Sequence, residues 1–556
     1  MNRRGLVGLT ALVVLAMVVP VSGCATEPIS SSSGEISTQE TWTEATHSND
    51  ANPDYDLVFP QDQVNLLEIT IAPDDWEAMQ VNAEELLGSS GTDARNAGPG
   101  AARPRPDEGR LPPGDMAQDG GDVPMGPGIP PGDTAQDGGD VPMGPGIPPD
   151  DTSQDGGDVS MAPGVPPDDS AQDGGDAPIA PGIPGWVDVT SENPTWVSAT
   201  VECNGLTWNN VGIRYKGNSS LRSGWQSGSL KLPLKLDFDE FEDEYPEIED
   251  QRFYGFKQIS LSNAFSDASY MRDALTSDIL ADAGLPVAET AFYEVIIDYG
   301  EGPVDLGLYV AIEVIDDTAI DRYFRDDSGN IYEGDGPGVS LAENTHDWIS
   351  TSFQKENNEE EADWGDIENL YTVLHSEERL SDPDAWRDSL EATFNVDGFL
   401  EWLAIGSILE HWDSYGQMPH NFYVYDDPET GLLNWISWDH NEVLQGVSSD
   451  AASRGKGRTV SIDRSEVGTD WPLIRYLLDD PVYMDSYVGY LEKALVGSCE
   501  PENLEARCQE MAELIRPYVV EESDGSDFDK AVQQLIDRCY AQYDAAFEFL
   551  AAMEGD

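Results

Sequence analysis

Asp413, Asn421 and Asp439 stand in the stretch HWDSYGQMPHNFYVYDDPETGLLNWISWDHN, residues 411–441, at the ends of segments rich in Tyr, Trp, Val and Ile. An amide carbonyl and a carboxylate held side by side chelate a hard cation such as Mg²⁺, which prefers oxygen ligands. A further carboxylate in reach of an incoming hydroxyl can orient it and take its proton. NFYVYD and NWISWD both read as strands, joined through DPETGLL with Pro428 and Gly431 as turn residues. With the turn centred near Thr430, Asn421 is expected directly opposite Asp439 across the ladder, with Cα atoms ~5 Å apart. Asp413 precedes Asn421 by eight residues, at the end of the apolar helical segment NVDGFLEWLAIGSILEHW. Asp and Asn are also common at ordinary strand ends, so spacing alone leaves a plain hairpin as the other reading.

The acids need that caution because the chain carries 107 Asp and Glu against 29 Lys and Arg, a formal charge of −78. Such a surface repels nucleic acid and attracts divalent or basic partners. Lysine is scarce, so Lys216, Lys231, Lys235 and Lys257 stand out as a cluster. At the start, Arg3 and Arg4 precede an apolar run from Leu6 to Val21 that ends in VSGC. The run is short for a membrane span and has the flanks of a signal peptide. Ser22 and Gly23 before Cys24 resemble a lipobox, which implies residues 1–23 as a lipoprotein signal peptide and a lipidated Cys24 at the membrane. Ordinary secretion is the alternative, and both place the protein outside the cytoplasm. Residues 24–55 are expected as a flexible tether. Cys499, Cys508 and Cys539 leave room for one disulfide, with Cys203 apart from them; no CxxC pair points to a metal–thiolate site.

The elements that must position the candidate site follow. LLEITI opens the fold in an N-terminal β segment, residues 56–82. Residues 83–185 are expected as a disordered or polyproline-like insertion, because QDGGD recurs at Gln118, Gln136, Gln154 and Gln172 in units rich in Pro, Gly and Asp. The DGGD spacing fits no EF-hand loop. Alternating apolar residues on both sides of Asn204–Gly205 predict a hairpin. KLPLKLDFD, QISLSNAF, AFYEVIID and GLYVAIEVID read as strands, and DASYMRDALTSDILADAG as a helix capped by Asp267 or Ser269 and stopped by Gly284. A core over 186–470 is followed by a helical part, 471–556. The class is α+β.

Asp413, Asn421, a hairpin and Asp439 also repeat the order in which protein kinases place a hydroxyl-orienting Asp, a metal Asn and a metal Asp. Upstream, KGNSS at 216–220 supplies a small polar turn and Lys231 or Lys235 a strand-borne cation, although no GxGxxG occurs. The blocks VGIRYKGNSS, KLPLKLDFD, LSNAFSDASYMRDAL, GLYVAIEVID, HWDSYGQMPHNFYVY and WISWDHN together resemble, in order over about residues 196–446, the CotH family of spore-coat protein H kinases. The resemblance implies an atypical protein-kinase-like fold, with a β-rich N-terminal lobe and a mostly helical C-terminal lobe, that binds ATP with Mg²⁺ and phosphorylates Ser or Thr. It implies Asp413 as the catalytic aspartate, Asn421 and Asp439 as metal ligands, and Lys235 as the phosphate-contacting lysine with Lys231 as competitor. Glu313 matches a family acid near the nucleotide pocket, and Arg272 a recurrent arginine that is structural or touches phosphate. Where relatives often carry a second acid two residues after the metal Asp, this chain has Asn441, whose carbonyl can still coordinate Mg²⁺ with less charge.

Two classes of function follow. One is a membrane-anchored, Mg–ATP-dependent Ser/Thr kinase whose protein substrates include its own acidic repeats, where Thr134, Thr152, Ser153 and Ser170 sit beside aspartates. The other is a non-catalytic surface adhesin or assembly protein. A glycosidase ranks behind both, since the acid count makes carboxylate pairs inevitable.

Overall fold

The computed structural model describes residues 43–91, 194–342, 346–359, 362–446, 460–522 and 525–553. The expected signal peptide, Cys24, the first part of the tether and the repeats lie outside the described residues.

The chain is α+β, built on two sheets. Strands β1 (Asn65–Ile71), β2 (Val197–Cys203), β3 (Leu206–Tyr215), β4 (Leu234–Asp237), β5 (Gln258–Ser262), β6 (Thr290–Asp298) and β7 (Val304–Glu313) form a closed barrel in the order β1-β2-β3-β4-β5-β7-β6. β1 closes it by pairing antiparallel with β2 and parallel with β6. Strict alternation drives this: Leu67, Ile69 and Ile71 of β1 are buried while the residues between them are exposed. The β2–β3 turn falls on Asn204 and Gly205, both with positive φ (51° and 77°), as a two-residue hairpin turn demands. β7 is the shared wall. Tyr309 and Ala311 face the barrel core, whereas Leu308, Val310 and Ile312 face a second core. A strand buried on both faces loses its alternation, which is why LYVAIEV reads as one apolar run.

The second sheet has β8 (Ile331–Gly334), β9 (Phe353–Lys355), β10 (Phe422–Asp427) and β11 (Leu432–Ser437) in the order β11-β10-β8-β9. It packs in the second core with the helix Val396–Ile408 and the C-terminal helices Pro472–Asp479, Pro481–Leu495, Pro501–Glu522 and Ser526–Met553. Leu473, Tyr487, Ile515 and Leu535 from those helices join the same buried cluster as Phe422 and Ile436 of the hairpin. The boundary expected at 470 is therefore not one of packing: the C-terminal helices and the hairpin share one core.

Three other expectations change. Residues 43–55, expected as tether, pack on the barrel: the buried His47 ring stacks on Trp208 at 4.5 Å, and Tyr55 Oη donates to Glu313 at 2.6 Å. The expected start of the insertion at 83 falls inside a helix, Pro73–Leu87, with Ala83 and Leu87 buried and Gly88 at its end with φ 82°. The disulfide is not formed; Cys203, Cys499, Cys508 and Cys539 are buried free thiols. No helix among the described residues is long and apolar enough to cross a membrane.

Candidate functional site

The helix Val396–Ile408 is apolar on nearly every face and buried, and Asn395 caps it by accepting from Gly398 N at 3.0 Å. It ends at Glu410, which has φ 52° and is ion-paired to Arg538 of the last helix. The chain then turns through His411 to Asp413. Below Asp413 lies an aromatic floor: Phe422 stacks on Trp435 at 4.0 Å, and Tyr415 and Phe399 meet Trp435 edge-on at 5.6 and 5.1 Å. Each such pair contributes about 1 kcal/mol beyond its buried area, so the hairpin base is held firmly.

The hairpin register differs by one residue from the expected one. Phe422 pairs with Ser437 and Asp427 with Leu432, which puts Trp438, not Asp439, opposite Asn421. A one-residue shift in a regular ladder turns every side chain to the other face. Here the displaced ends leave the ladder instead. Asn421 and Asp439 lie just outside β10 and β11, and both adopt left-handed backbone, φ 67° and 54°. Non-glycine residues in this region are uncommon and concentrate at functional sites.

The left-handed turns bring the three candidates together. Asn421 Nδ2 donates to the Asp413 carbonyl at 2.8 Å, which fixes the amide and leaves its Oδ1 outside that bond. Asp439 and Asp413 repel one another: burial raises the Asp439 carboxyl above its ordinary range, Lys216 pulls it back, and Asp413 pushes it up again. His420 Nε2 lies 3.1 Å from Asp413 Oδ1. Burial works against a charged His420 ring, but the bond to Asp413 and the charges of Asp413, Asp335 and Asp439 outweigh it and raise its pKa. Asp335 is pushed up to about 6 by burial and by Glu333. Asp413 and His420 keep side-chain exposures of 18 and 23%, so this is a cleft that solvent reaches. An oriented amide oxygen beside crowded, desolvated carboxylates suits a divalent cation, since oxygen-rich sets of this type select Mg²⁺ or a similar ion.

The facing wall comes from the outer surface of the barrel. Lys235 lies between Leu234 and Leu236, which point into the barrel core, and so it points out, opposite Arg214 and Ser260. Its charge acts on Lys216 and on Glu356, which lies across the cleft beside Glu333. Lys216 is one residue past β3; its Nζ donates to Ser260 Oγ and sits 5.8 Å from the Trp438 ring centre. Burial lowers its pKa, with Asp439 the largest opposing charge. The lysine whose charge acts on Asp439 is thus Lys216. Lys231 instead sits over the rings of Tyr270 and Tyr309 at 4.9 and 5.5 Å.

The remaining candidates make bonds within the frame. Glu313 is 1% exposed, accepts from Tyr55 Oη and from Glu289 N, and pairs with Arg322 at 3.3 Å. Arg272 pairs with Asp267 at 3.1 Å and donates to Ser266 O, binding the loop before its helix. Asn441 Nδ2 donates to Phe265 O at 3.1 Å, tying the hairpin end to that same loop and leaving its carbonyl free of that bond.

Three residues escape a reading of spacing. Asp273, on the helix Arg272–Ala283, accepts from His440 N at 2.9 Å, and burial together with Asp439 pushes its carboxyl up to about 7. In so acidic a chain one more Asp carries no signal. His420 had one: the chain has six histidines, and His411, His420 and His440 fall here. Lys216 belonged to the noticed lysine cluster, but only the fold shows which lysine faces Asp439.

Among the described residues, one group of three carboxylates has ligand atoms all within 4.8 Å of one another: Asp239, Glu242 and Asp250, on the barrel. Arg252 and Lys257 already pair with Asp239, so its charge is spent on them.

The CotH kinase protein family matches residues 213–551, well over half of the chain, and the chain belongs to that family. The match takes in the C-terminal helices, in keeping with the shared core. The inner spore coat protein H of Bacillus subtilis (strain 168) is 24% identical over 278 residues, 48% of this chain and 70% of that protein. A solved structure, the Shewanella oneidensis MR-1 toxin–antitoxin system HipA, HipB and its operator DNA complex, aligns at 13% identity and a TM-score of 0.25. It covers 51% of this chain and 57% of the matched chain, little more than half its length.

Proposed function

We propose that the protein is an extracytoplasmic, Mg–ATP-dependent Ser/Thr protein kinase on an atypical kinase-like fold, anchored to the membrane through a lipidated Cys24. The observation that carries this reading is the meeting of Asp413, Asn421 and Asp439 with Lys216 in one cleft. Asn421 Oδ1 and Asp439, with the Asn421 amide fixed on the Asp413 carbonyl, would hold the metal; Asn441 supplies a further carbonyl. Bound there, the ion would neutralise charge on the phosphates of ATP. Asp413 orients the acceptor hydroxyl and takes its proton as the hydroxyl oxygen bonds to the γ-phosphorus and the bond to the ADP oxygen breaks. His420 holds the Asp413 carboxylate in place, and Lys216 presents positive charge from the opposite wall, with Lys235 behind it. Positioning and charge stabilisation supply most of the acceleration in such transfers.

The test is phosphate transfer from labelled ATP by the full chain and by Asp413→Asn. Loss of a general base costs about 10²–10⁴ in rate, so transfer should fall about a thousandfold while calorimetric Mg–ATP binding stays within about twofold. Undiminished transfer in Asp413→Asn would remove the kinase reading. A second reading, a non-catalytic surface or assembly protein, is favoured by Asn441, which stands where relatives often carry an acid and is engaged in a structural bond. It predicts no difference in Mg–ATP binding between the wild type and Asp439→Ala.

A further inference from the structure

Beside His420 lies an aromatic groove of about 470 Å³ lined by Trp348, Trp471, Pro337, Pro419, Ser340 and Asp470. Trp348 is 43% exposed, unusual for a ring of that size in a folded chain. The groove is built rather than incidental. Trp471 packs edge-on against the buried Tyr415 at 4.9 Å, Tyr415 Oη donates to Ser340 O at 2.9 Å, and Gly336 N donates to Pro419 O at 2.9 Å. These bonds tie it to the hairpin floor, and Pro419 adjoins the histidine that holds Asp413. Flat aromatic rings with proline walls are the surface on which polyproline segments dock, because a proline-rich strand is already extended and loses little entropy.

The chain carries such segments in a fixed register with hydroxyls. Pro130-Pro131 precedes Thr134, Pro148-Pro149 precedes Thr152, and Pro166-Pro167 precedes Ser170, always with the hydroxyl three residues after the second proline. The earlier Pro112-Pro113 has Met116 at that position. Three residues of polyproline conformation span about 9 Å, so each hydroxyl would lie about that far beyond a docked Pro-Pro pair. Fifty-seven positions separate Gly91, on the barrel, from Pro148, and random-coil statistics give a chain of that length an end-to-end distance of about 40 Å. We infer that this groove is the acceptor-docking site of the kinase and that its occupant is the protein's own Pro-Pro-x-Asp-Thr/Ser repeats, bound in cis. The inference rests on the kinase reading above for its chemistry, not for its binding.

Binding and transfer are tested separately. A full chain with the eight prolines at 112, 113, 130, 131, 148, 149, 166 and 167 replaced by alanine has an empty groove. It should bind a labelled synthetic peptide of residues 145–156 at least about tenfold tighter than the wild type, whose groove is filled in cis. Trp348→Ala in that background, with its melting temperature unchanged, should lose this binding, as should a peptide with Pro148 and Pro149 replaced by alanine. Both partners are acidic, so binding should strengthen with salt. With Mg–ATP, peptide mass spectrometry of the wild type should find phosphate on Thr134, Thr152 and Ser170 ahead of Ser153, at a rate per chain independent of protein concentration. Binding indifferent to Trp348 or to the prolines, or a rate that rises with concentration, overturns the proposal. Proline-dependent binding without any phosphate transfer would instead leave the groove standing and remove the kinase reading.

Discussion

The cations of the barrel wall sit on or beside regular strand: Lys235 in the middle of β4 and Lys216 one residue past β3. The acids and amide of the hairpin wall sit outside their strands, in left-handed backbone at Asn421 and Asp439. A closed barrel has no free edges, so pairing fixes which way each side chain points, and Lys235 gets its direction from Leu234 and Leu236 on either side. The end of a hairpin has no such neighbour. Its side chains are aimed by local strain and by particular bonds, such as Asn421 Nδ2 to the Asp413 carbonyl and Asp273 to His440 N. The barrel wall is therefore a scaffold with charges on it, whereas on the hairpin wall the scaffold and the site are the same residues.

The sharpest break of this contrast is on the barrel side. If Lys216 is the cation at the metal acid and Lys235 stands behind it, Lys216→Met should lower kcat/KM for ATP about a hundredfold and Lys235→Met about tenfold, within the range set by charge-assisted contacts to phosphate. The reverse ranking in steady-state kinetics would restore Lys235 to the nearer position. On the hairpin side, Asn421→Gly should abolish Mg²⁺ binding and lose only the stability of the bond to the Asp413 carbonyl, because glycine accepts φ 67° without strain. Asn421→Ala should lose Mg²⁺ binding as well and cost the fold about 1 kcal/mol more. Calorimetry and thermal melts separate the two, and equal stability of the variants would show that the left-handed turn is not strained.

The smallest effect concerns pH. Burial, with Asp439 nearby, raises Asp273 to about 7 in the folded protein, against about 3.9 when unfolded. The folded state then binds more protons than the unfolded one between those values. Stability from this group is complete below about pH 4 and is lost as pH rises through about 7. Without metal, the wild type should melt a few degrees lower at pH 8 than at pH 5. Asp273→Asn, which keeps an acceptor for His440 N, should show a flatter profile. Parallel profiles would assign the dependence to other groups.

Much of this was legible in the residues. Alternation gave the strands, Asn204–Gly205 the first hairpin, Gly284 the end of its helix, and the order Asp413, Asn421, Asp439 the candidate site. The hairpin register was not legible: DPETGLL accommodates a turn centred at either of two neighbouring points, and packing of Phe422 on Trp435 decides between them. Glu313 and Arg272 matched a pattern, but their partners Tyr55, Arg322 and Asp267 place both in the frame.

Local chemistry, written in the chain itself, determined which residue types stand at the hairpin ends, where the apolar periods run, and that prolines and hydroxyls repeat in step. Tertiary structure alone decided which of several lysines faces Asp439, that a buried Asp273 braces the hairpin, and that two tryptophans far apart in sequence form one groove. The reason is physical: a side chain's type and period are local properties, whereas the charge it meets and the solvent it loses depend on segments that only folding brings beside it.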